Sequence, residues 1–533
     1  MSGEARPIVW SAAGTDSGGG AGLAADQRAA DAFGVHLCPV VCAVTAQNSR
    51  AVTRVEPLPV ELIEAQFEAL ATDLPPRAIK TGLLGGAAQV RAVARWVDRL
   101  CRAAPVALVV DPVLASSTGA AFADAATVAA YRDELLPRAT VVTPNLDEAR
   151  VLLGSADARP TDVPELARAL QALGADSVCI TGGDSPDVDG RVLDWLAGPH
   201  ADGWLASPRI TAPHRHGTGC TFASSLASAL AHGFVAADAA VLAKMATGCA
   251  IRHGYPAGAG AGPVHAQTGF AVDPSLLPLM SWGNTPVFAP VTQNPERQRR
   301  LGLYAVVDSA ERLQQALAGG VRTLQLRIKA PASADAAWHA ALRDAIARSV
   351  AACWAAGAEL FINDHWQIAH ELGAGAVHLG QEDLSSLGER GRAALRESGL
   401  AVGISSHSLW ELCRAASLAP RYIACGPVWP TLTKAMPWLP QGPDNLAWWV
   451  RMVPSPVVAI GGILDAQRVG EAAASGADGV CVVRALGSDP ALGAPPLLAA
   501  FAAGTRPALP MGVASLPHPT LAKAGDRPDE TGR

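Results

Sequence analysis

Short runs of apolar and β-branched residues alternate with longer Ala-, Leu- and Arg-rich stretches along most of this chain. The short runs have the length of buried strands and the longer stretches that of helices, so the pattern predicts βα units with parallel sheets. The alternation stops over residues 271–300, where Pro and Asn are frequent. We therefore predict two α/β domains, at 6–270 and 301–486, joined by a linker at 271–300. The Ala-, Pro- and Gly-rich residues 487–533 are predicted to form a disordered tail.

Composition narrows the class of protein. The 533 residues are 50% hydrophobic and 17% charged, which is too apolar and too weakly charged for a disordered chain and leaves room for roughly two to four domains. The net charge is −6 without a long basic run, so neither nucleic acid nor a membrane is an expected partner. No apolar run reaches the ~18 residues of a membrane span. The ten cysteines include no CxxC pair, which favours reduced thiols and a cytoplasmic enzyme.

The first glycine-rich loop lies near the N-terminus. A short strand at Ile8–Trp10 precedes the loop Gly14–Gly22, and a helical stretch follows it. A strand, a glycine loop and a helix start in this order favour close approach of a ligand to backbone N–H groups. Leu23 stands where a dinucleotide-binding loop needs its third glycine, and the chain has no GK dipeptide for a Walker A loop. Taken alone, the glycine run is equally compatible with a flexible surface loop.

The second loop, His216–Thr221, is more specific. It leads into a helix of small residues that Gly233 is expected to end. Gly217 and Gly219 allow the backbone to curl, so that N–H groups at the helix start would face an anion. Cys220 lies where the helix dipole favours a thiolate. A small core residue is the alternative interpretation of Cys220.

Acidic residues follow two predicted strands between these loops. Asp111 ends the run VVDP, and Glu148 lies in TPNLDE together with Asn145. Acidic side chains at strand ends beside a phosphate-binding loop are suitable Mg²⁺ ligands, because Mg²⁺ prefers oxygen and bridges phosphates. Each feature alone is weak, since Asp-Pro at a strand end is often only a turn.

Six motifs occur in order: AGTDSGGGAG, TAQN, KTG, DPV, TPNxxE and HGTGCT. Together they resemble the hydroxymethylpyrimidine/phosphomethylpyrimidine kinases of thiamine biosynthesis, which have a ribokinase-like fold. The resemblance covers nearly all of 6–270 and implies that ATP phosphorylates the pyrimidine hydroxymethyl group and then the monophosphate. It implies a pyrimidine site at Gly14, Asp26 and Gln47, whose amide suits an aminopyrimidine. It places Cys220 at the catalytic anion hole, where most ribokinase relatives carry Asp. The implied ATP and Mg²⁺ site comprises Asp111, Asn145, Glu148, Gly217 and Gly219.

Two departures leave alternatives open. Thr181 stands where the family usually has the Lys of Lys-Gly-Gly-His, and Ser17 stands where the first loop often has Pro. Loss of that Lys removes an expected phosphate partner. One alternative is a pyridoxal kinase, against which TAQN and Cys220 both argue. The other is a module that only captures pyrimidine and supports the second domain, which ATP consumption would distinguish.

Eight short strands can be counted in the second domain, and helical stretches separate most of them. This is the pattern of a (β/α)₈ TIM barrel. The strands are predicted at 302–307, 323–327, 359–363, 376–380, 402–405, 422–426, 456–460 and 479–483.

Polar residues follow nearly every one of these strands. Chain order alone predicts that they meet at one mouth of the barrel, where cations, carboxylates and hydroxyls together describe a Mg²⁺–diphosphate site. The glycines at 461–462 and the end of the eighth strand mark the usual phosphate site of barrels. His407 is interpreted as structural.

These residues carry a second resemblance. RTLQLRIK, LFINDHWQIA, GAVHLGQEDL, GISSH, PTLTKAMP and VAIGGI are similar to thiamine-phosphate synthases across 301–486. The resemblance implies dissociative joining of the pyrimidine diphosphate to the thiazole phosphate, or its carboxy form, with diphosphate leaving first. Charge stabilisation then matters more than a general base, so Arg327 and Lys434 are the catalytic candidates. Asp364 and Asp383 are the expected Mg²⁺ ligands.

The two substrate sites follow from the same motifs. The pyrimidine diphosphate site is expected at Gln325, Leu326, Arg327, Ile328, Lys329, Asn363, Ser405 and Lys434. The thiazole phosphate site is expected at Thr431, Leu432, Thr433, Gly462, Val483 and Arg484, the last of which replaces a common Ser. A guanidinium at that position would either strengthen phosphate binding or crowd the pocket.

The two halves make chemical sense together, because the diphosphate made by the first is consumed by the second. We therefore predict a bifunctional thiamine-biosynthetic enzyme with Mg²⁺ as cofactor and ATP as co-substrate. Its expected partners are small-molecule substrates, and homo-oligomerisation is left open.

Overall fold

The computed structural model divides the chain into two compact units, 1–286 and 287–533, and each is described by itself. No helix among the described residues is both long and apolar enough to cross a bilayer. The described residues are 5–115, 122–154, 162–185, 188–289, 300–331, 333–431, 437–505 and 515–521.

A single sheet organises the first unit. Within the described residues it has ten strands in the order β10-β9-β8-β7-β6-β5-β4-β1-β2-β3. The strands from β7 to β2 in this order are parallel, whereas β3 and β8–β10 run antiparallel to their neighbours. The bounds are β1 Ile8–Gly14, β2 His36–Gln47, β3 Val52–Pro57, β4 Ala78–Thr81, β5 Ala107–Val110, β6 Val141–Val142, β7 Ser177–Ile180, β8 Arg191–Ala197, β9 Gly203–Pro208 and β10 Leu279–Met280.

The small-residue helix predicted after the second glycine loop is α7. It packs against α8 and α1 and against β4 and β5, and every residue from Thr221 to Ala231 is buried. Ala and Ser allow this close approach because they add little volume between the packed backbones. The bounds are α1 Gly22–Ala32, α2 Val60–Ala71, α3 Ala87–Cys101, α4 Ala125–Ala130, α5 Leu146–Leu153, α6 Val163–Ala172, α7 Thr218–Ala231 and α8 Ala236–Arg252.

The first half of the predicted linker belongs to the first unit. Short 3₁₀ turns at Phe270–Val272 and Pro274–Leu276 precede β10, which pairs with the edge strand β9. Phe270, Leu276 and Met280 are buried. The sequence of this segment shows no helical or strand periodicity. Its apolar residues pack one at a time against a surface that the rest of the unit provides. Residues 290–299 lie outside the described part of the chain.

The second unit contains a closed barrel of eight parallel strands, in which β18 pairs with β11. Every predicted strand is present, and each end agrees with the prediction to within one residue. The bounds are β11 Gly302–Val307, β12 Thr323–Leu326, β13 Glu359–Asn363, β14 Ala376–Leu379, β15 Ala401–Ser406, β16 Tyr422–Cys425, β17 Val457–Ala459 and β18 Gly479–Val482.

The residues predicted as a disordered tail include the barrel's last helix, so that prediction is wrong for 487–505. Helix α17 packs against α9 and α16 and buries Ala494 and Leu497. Pro490 occupies the first turn, where a helix needs no N–H donor. The helix bounds are α9 Ala310–Ala318, α10 Ala336–Ala356, α11 Trp366–Glu371, α12 Gln381–Ser386, α13 Gly388–Glu397, α14 Leu409–Ala416, α15 Gly442–Met452, α16 Ala466–Ala474 and α17 Pro490–Gly504.

Candidate active sites

A cavity of about 1150 Å³ opens in the first unit at the carboxyl ends of its parallel strands. Parallel sheets bind ligands at this edge, because loops and helix N-termini converge there. The volume suits a nucleotide together with a small ring. The predicted residues that line it are Gly14, Gln47, Asp111, Asn145, Glu148, Gly217, Gly219 and Cys220.

Asp16 organises the first glycine loop. Its carboxylate accepts hydrogen bonds from the N–H groups of Gly18, Gly20 and Ala21 at 2.8–3.0 Å, and its Oδ2 lies 3.0 Å from His216 Nε2. Burial alone would raise the pKa of Asp16, but these hydrogen bonds outweigh it and lower the pKa to about 2. Asp16 was not among the predicted site residues, although an Asp inside a glycine-rich loop is a recognisable signal, because its carboxylate can accept hydrogen bonds from the loop N–H groups.

His216 joins the two glycine loops. Its Nε2 also lies 3.2 Å from Gln47 Nε2, so the predicted pyrimidine-binding amide is held beside the second loop. The loops are packed so closely that a Cβ on Gly20 would come within 2.2 Å of the His216 ring. A Cβ on Gly217, which has a φ of +86°, would lie 2.3 Å from Gly20 O. Both glycines are therefore required by the contact between the loops, and Gly217 is also required by its backbone conformation.

The structure does not place Asp26 where the resemblance implied. Asp26 is fully buried beneath the cavity, and its carboxylate accepts hydrogen bonds from Ser11 Oγ and Ser224 Oγ. Lys80 Nζ donates to its Oδ1 at 2.9 Å, and Lys80 in turn lines the cavity. Asp26 therefore holds Lys80 in place and does not itself face a pyrimidine. Burial disfavours the Lys80 cation, but Asp26 outweighs this effect and raises the pKa of Lys80.

Cys220 lies in the first turn of α7 and lines the cavity, as expected. The expected thiolate is not supported. Loss of hydration raises the pKa of the thiol to about 12, although Lys80 opposes the shift and Asp26 and Asp111 add to it. A helix N-terminus contributes only a partial charge, which does not compensate for removing a thiolate from water beside two carboxylates.

Asp111 and Glu148 place two carboxyl groups in the cavity. Asp111 Oδ2 is buried without a hydrogen-bond partner among the described residues, and Lys80 Nζ lies 3.6 Å from it. Burial raises the pKa of Asp111 to about 6, and burial with the nearby Asp111 charge raises that of Glu148 to about 8. Burial is the largest cause of both shifts, and two neighbouring carboxyl groups that are costly to ionise without a cation are suitable ligands for a divalent metal ion.

Asn145 and Glu148 also have a structural role. They form a capping box at the start of α5, in which each side chain accepts the other residue's N–H at 2.9 Å. No group of three or more His, Cys, Asp and Glu side chains in the described part of the chain is arranged to hold a metal ion. Two carboxylates fit Mg²⁺ that takes its remaining ligands from phosphates and water.

Thr181 lines the cavity at the position where a Lys was expected. A different lysine, Lys244 from α8, also lines it and donates a 2.7 Å hydrogen bond to the buried Asp194 Oδ2. Asp194 accepts the Gly182 N–H as well, which ties the pair to the loop after β7. Sequence reasoning missed this pair because Lys244 and Asp194 belong to no glycine loop.

In the second unit, the predicted Mg²⁺ ligands follow β13 and β14. Asp364 has a φ of +66°, a conformation that is uncommon outside glycine and that clusters at functional sites. Its Oδ2 accepts a 2.6 Å hydrogen bond from Lys329 Nζ. Asp383 Oδ2 accepts the Gly380 N–H at 2.8 Å. Each bond occupies one carboxylate oxygen, which leaves the other oxygen for a cation.

A chain of buried polar side chains crosses the barrel interior, and sequence reasoning identified only its two ends. Gln325 Nε2 donates to Tyr304 OH at 2.9 Å, and Tyr304 OH lies 2.8 Å from Tyr422 OH. His378 continues the chain, with Nδ1 2.7 Å from Tyr422 OH and Nε2 2.9 Å from Ser405 Oγ. These contacts fix the orientation of Gln325 and Ser405, which are both predicted substrate ligands.

His378 is neutral at ordinary pH. Burial lowers its pKa to about 4, and the positive charges of Arg327 and Lys329 add to the effect while Asp364 opposes it. His378 therefore connects Ser405 to the barrel interior without bringing a further charge to the mouth.

The remaining synthase candidates occupy strand ends and loops. Leu326 and Asn363 are buried at the ends of β12 and β13, and Ile328 O accepts a hydrogen bond from His365 Nε2. Gly462 has a φ of +72°, and a Cβ there would lie 2.5 Å from Trp429 O. Val483 and Arg484 follow β18, and Thr431 is the last described residue before a gap. Leu432, Thr433 and Lys434 lie outside the described residues.

Each of the two units matches the model of a known protein family. The family model for phosphomethylpyrimidine kinase matches residues 16–265, and that for thiamine monophosphate synthase matches 303–486. A probable thiamine biosynthetic bifunctional enzyme, chloroplastic, from Oryza sativa is 35% identical over 502 residues, which cover 91% of this chain and 87% of that protein. The chain belongs to the family of bifunctional thiamine biosynthetic enzymes. It combines a kinase domain built on one mainly parallel α/β sheet with a synthase domain built on a closed eight-stranded parallel barrel, which confirms the predicted α/β class, the TIM barrel and the bifunctional character.

Similarity also extends to proteins that match the kinase domain alone. A hydroxymethylpyrimidine/phosphomethylpyrimidine kinase of Streptomyces coelicolor is 42% identical over 258 residues, covering 48% of this chain and 93% of that protein. A solved pyridoxal kinase from Staphylococcus aureus in complex with ADP is 30% identical, covers 49% of this chain and 93% of its own, and has a TM-score of 0.45.

Proposed function

We propose that the kinase domain uses ATP to convert 4-amino-5-hydroxymethyl-2-methylpyrimidine to its monophosphate and then to its diphosphate. We further propose that the synthase domain joins this diphosphate to 4-methyl-5-(2-phosphoethyl)thiazole, or its carboxy form, and releases thiamine phosphate and diphosphate, together with carbon dioxide when the carboxy form is the substrate. The observation that carries the proposal is the meeting of both glycine loops at one cavity beside Asp111 and Glu148. The similarity of the whole chain to bifunctional relatives supports the second step.

In the kinase domain, the pyrimidine would lie between Gly14 and Gln47. The N–H groups at the start of α7, including that of Cys220, would stabilise the negative charge on the phosphoryl group as it moves from ATP to the substrate oxygen. In the first transfer the hydroxyl oxygen bonds to the γ-phosphorus as the bond from that phosphorus to ADP breaks, and the hydroxyl proton passes to solvent. In the second transfer an oxygen of the monophosphate bonds to the γ-phosphorus, and ADP leaves again. Asp111 and Glu148 would hold Mg²⁺, which when bound neutralises charge on the ATP phosphates.

In the synthase domain, bond breaking precedes bond making. The C–O bond to diphosphate breaks first, and Arg327, Lys329 and Lys434 stabilise the departing anion. The thiazole nitrogen then attacks the pyrimidine-methyl cation. Asp364 and Asp383 would hold the Mg²⁺ that neutralises diphosphate charge. Lys329 already lies at Asp364 and would contact the diphosphate from the same position.

The test supplies the full chain with hydroxymethylpyrimidine, ATP, Mg²⁺ and thiazole phosphate and measures thiamine phosphate. An Arg327→Ala variant is the matched control, because its kinase domain is unaltered and pyrimidine diphosphate should accumulate in its reactions. A panel with pyridoxal tests the alternative kinase substrate. Phosphorylation of pyridoxal but not of the pyrimidine would refute the proposal, and absence of ADP with either substrate would indicate a capture module.

A further inference from the structure

A short C-terminal segment returns to the synthase domain after α17. We call residues 515–521 the C-terminal strap. They lie beyond the synthase family match, which ends at 486. Thr520 O accepts the Leu439 N–H at 2.7 Å, and Leu521 forms an antiparallel bridge with Trp438. Thr520 is only 3% exposed, so the strap is packed and not merely adjacent.

Asn445 on α15 holds the strap from its other side. Its Oδ1 accepts the His518 N–H and its Nδ2 donates to His518 O, both at 3.0 Å. His518 Nε2 lies 2.8 Å from Gln441 O, within hydrogen-bond distance of that carbonyl oxygen. Reciprocal bonds from one amide side chain to one residue's N–H and C=O require a single register of the strap.

The residues that the strap contacts reach the loop after β15. Trp438 stacks on the His407 ring with a centroid distance of 5.3 Å and an interplanar angle of 10°. Gln441 is fully buried, and its Nε2 donates to His407 O at 2.6 Å. His407 is itself held by Glu411, whose Oε2 accepts the His407 backbone N–H at 2.7 Å. His407 therefore lies between the residues that the strap contacts and Ser405, which is two residues earlier in the chain.

We propose that the C-terminal strap is a positioning element of the synthase site, acting through Trp438, Gln441 and His407 on Ser405. The inference rests on the proposed synthase function and adds a part of the chain to which neither the motifs nor the family match assigns a role. Without the strap, Leu439 N–H and Gln441 O lose their partners, and Trp438 loses its backbone neighbour. A displacement of about 1 Å in a ligand-binding loop is enough to lower rates by up to ~10²-fold.

Two truncations of the full chain test this inference. One ends at Ala514 and lacks the strap, and the other ends at Leu521 and keeps it. Deuterium exchange of the peptide 437–445 reports docking, and synthase kinetics report positioning. The Ala514 truncation should show faster exchange in this peptide and a roughly tenfold higher KM for pyrimidine diphosphate, with less change in KM for thiazole phosphate. Its kinase activity should match that of the Leu521 truncation, and its barrel should remain folded at the assay temperature with a somewhat lower unfolding midpoint, because the contacts of the strap are lost.

The outcomes are separable. Equal exchange in the two truncations would show that the strap does not dock. Faster exchange with unchanged synthase kinetics would refute the positioning role, and so would a Leu521 truncation that is as impaired as the Ala514 truncation. A full-length chain without synthase activity would overturn the proposed function, and the exchange experiment would still decide whether the strap docks.

Discussion

Replacing Lys80 with Met tests the buried charge pair beneath the kinase cavity. The Lys80 and Asp26 side chains are completely buried, and Lys80 Nζ lies 2.9 Å from Asp26 Oδ1. Met is one atom shorter than Lys but keeps most of the apolar stem, and it leaves the Asp26 carboxylate with Ser11 and Ser224 as its remaining side-chain partners among the described residues. Removing one member of a buried pair costs about 3–5 kcal/mol, because the other charge stays buried without compensation. At ~2–4 °C per kcal/mol, the midpoint of the kinase domain should fall by about 6–20 °C.

The assay is thermal unfolding of the full chain, with the barrel transition as an internal reference. The double variant Asp26→Asn/Lys80→Met removes both charges, so it should be clearly more stable than Lys80→Met alone. Arg95→Met is a control for the same kind of change at the surface, where Arg95 Nη2 lies 2.7 Å from Glu64 in an exposed pair. That variant should shift the midpoint little.

A Lys80→Met midpoint within about 2 °C of the parent would refute this reasoning, since the expected destabilisation corresponds to several times that shift. A double variant no more stable than the single variant would also refute it. Either result would mean that Asp26 is not held as a charged carboxylate by Lys80.

Three further predictions concern the two sites. Cys220→Asp should lower pyrimidine phosphorylation by ~10²-fold, because it adds a carboxylate where the phosphoryl charge must be stabilised, whereas Cys220→Ala keeps the N–H groups of α7 and should lower it less; the barrel should still use supplied pyrimidine diphosphate in both. An Ala variant as slow as the Asp variant would assign a catalytic role to the thiol itself. Without metal, the kinase domain should lose stability as pH rises from about 5 to about 8. Burial raises the pKa of Glu148 from 4.5 to about 8, so over this range the folded state retains a proton that the unfolded state has already released. Thermal midpoints of the Glu148→Gln variant should therefore depend less on pH than those of the parent. Arg327→Ala should lower the synthase rate by ~10²-fold, and added Mg²⁺ should not restore it, whereas Asp383→Asn should raise the apparent Mg²⁺ requirement. Rates are measured as Mg²⁺ is titrated. Recovery of Arg327→Ala by Mg²⁺, with Asp383→Asn remaining inactive, would contradict both assignments.

The barrel strands could be predicted from sequence because each is a short apolar run between helical stretches. The same pattern shows which polar residues follow the strands, and Lys329 and Asp364 do lie in contact. Helix α17 was missed because its Pro and Gly content resembles that of a tail. Its burial depends on a surface formed by α9 and α16, which no local pattern shows.

The side-chain networks could not be predicted in the same way. Tyr304, Tyr422 and His378 come from three separate strands, and each is a single polar position in an apolar run. Asp26 was recognised from its motif but given the wrong role, because a motif identifies a residue without showing whether it faces a ligand or a lysine beneath the site. The prediction of a thiolate at Cys220 was not supported for a similar reason. The helix dipole is a local property, whereas hydration depends on the whole unit.

The charge balance of the kinase cavity explains why a neutral thiol suits position 220. Lys80 pairs most closely with Asp26, at 2.9 Å, and lies 3.6 Å from Asp111, so it compensates only part of the charge that ionised Asp111 and Glu148 would bring to the cavity. Their pKa values of about 6 and about 8 show that the cavity resists even these two carboxylates before any phosphate enters. A carboxylate at the start of α7 would add a third negative charge and would compete for the same cation. The uncharged Cys220 leaves the N–H groups of α7 available to the transferred phosphoryl group, which is where negative charge must be stabilised.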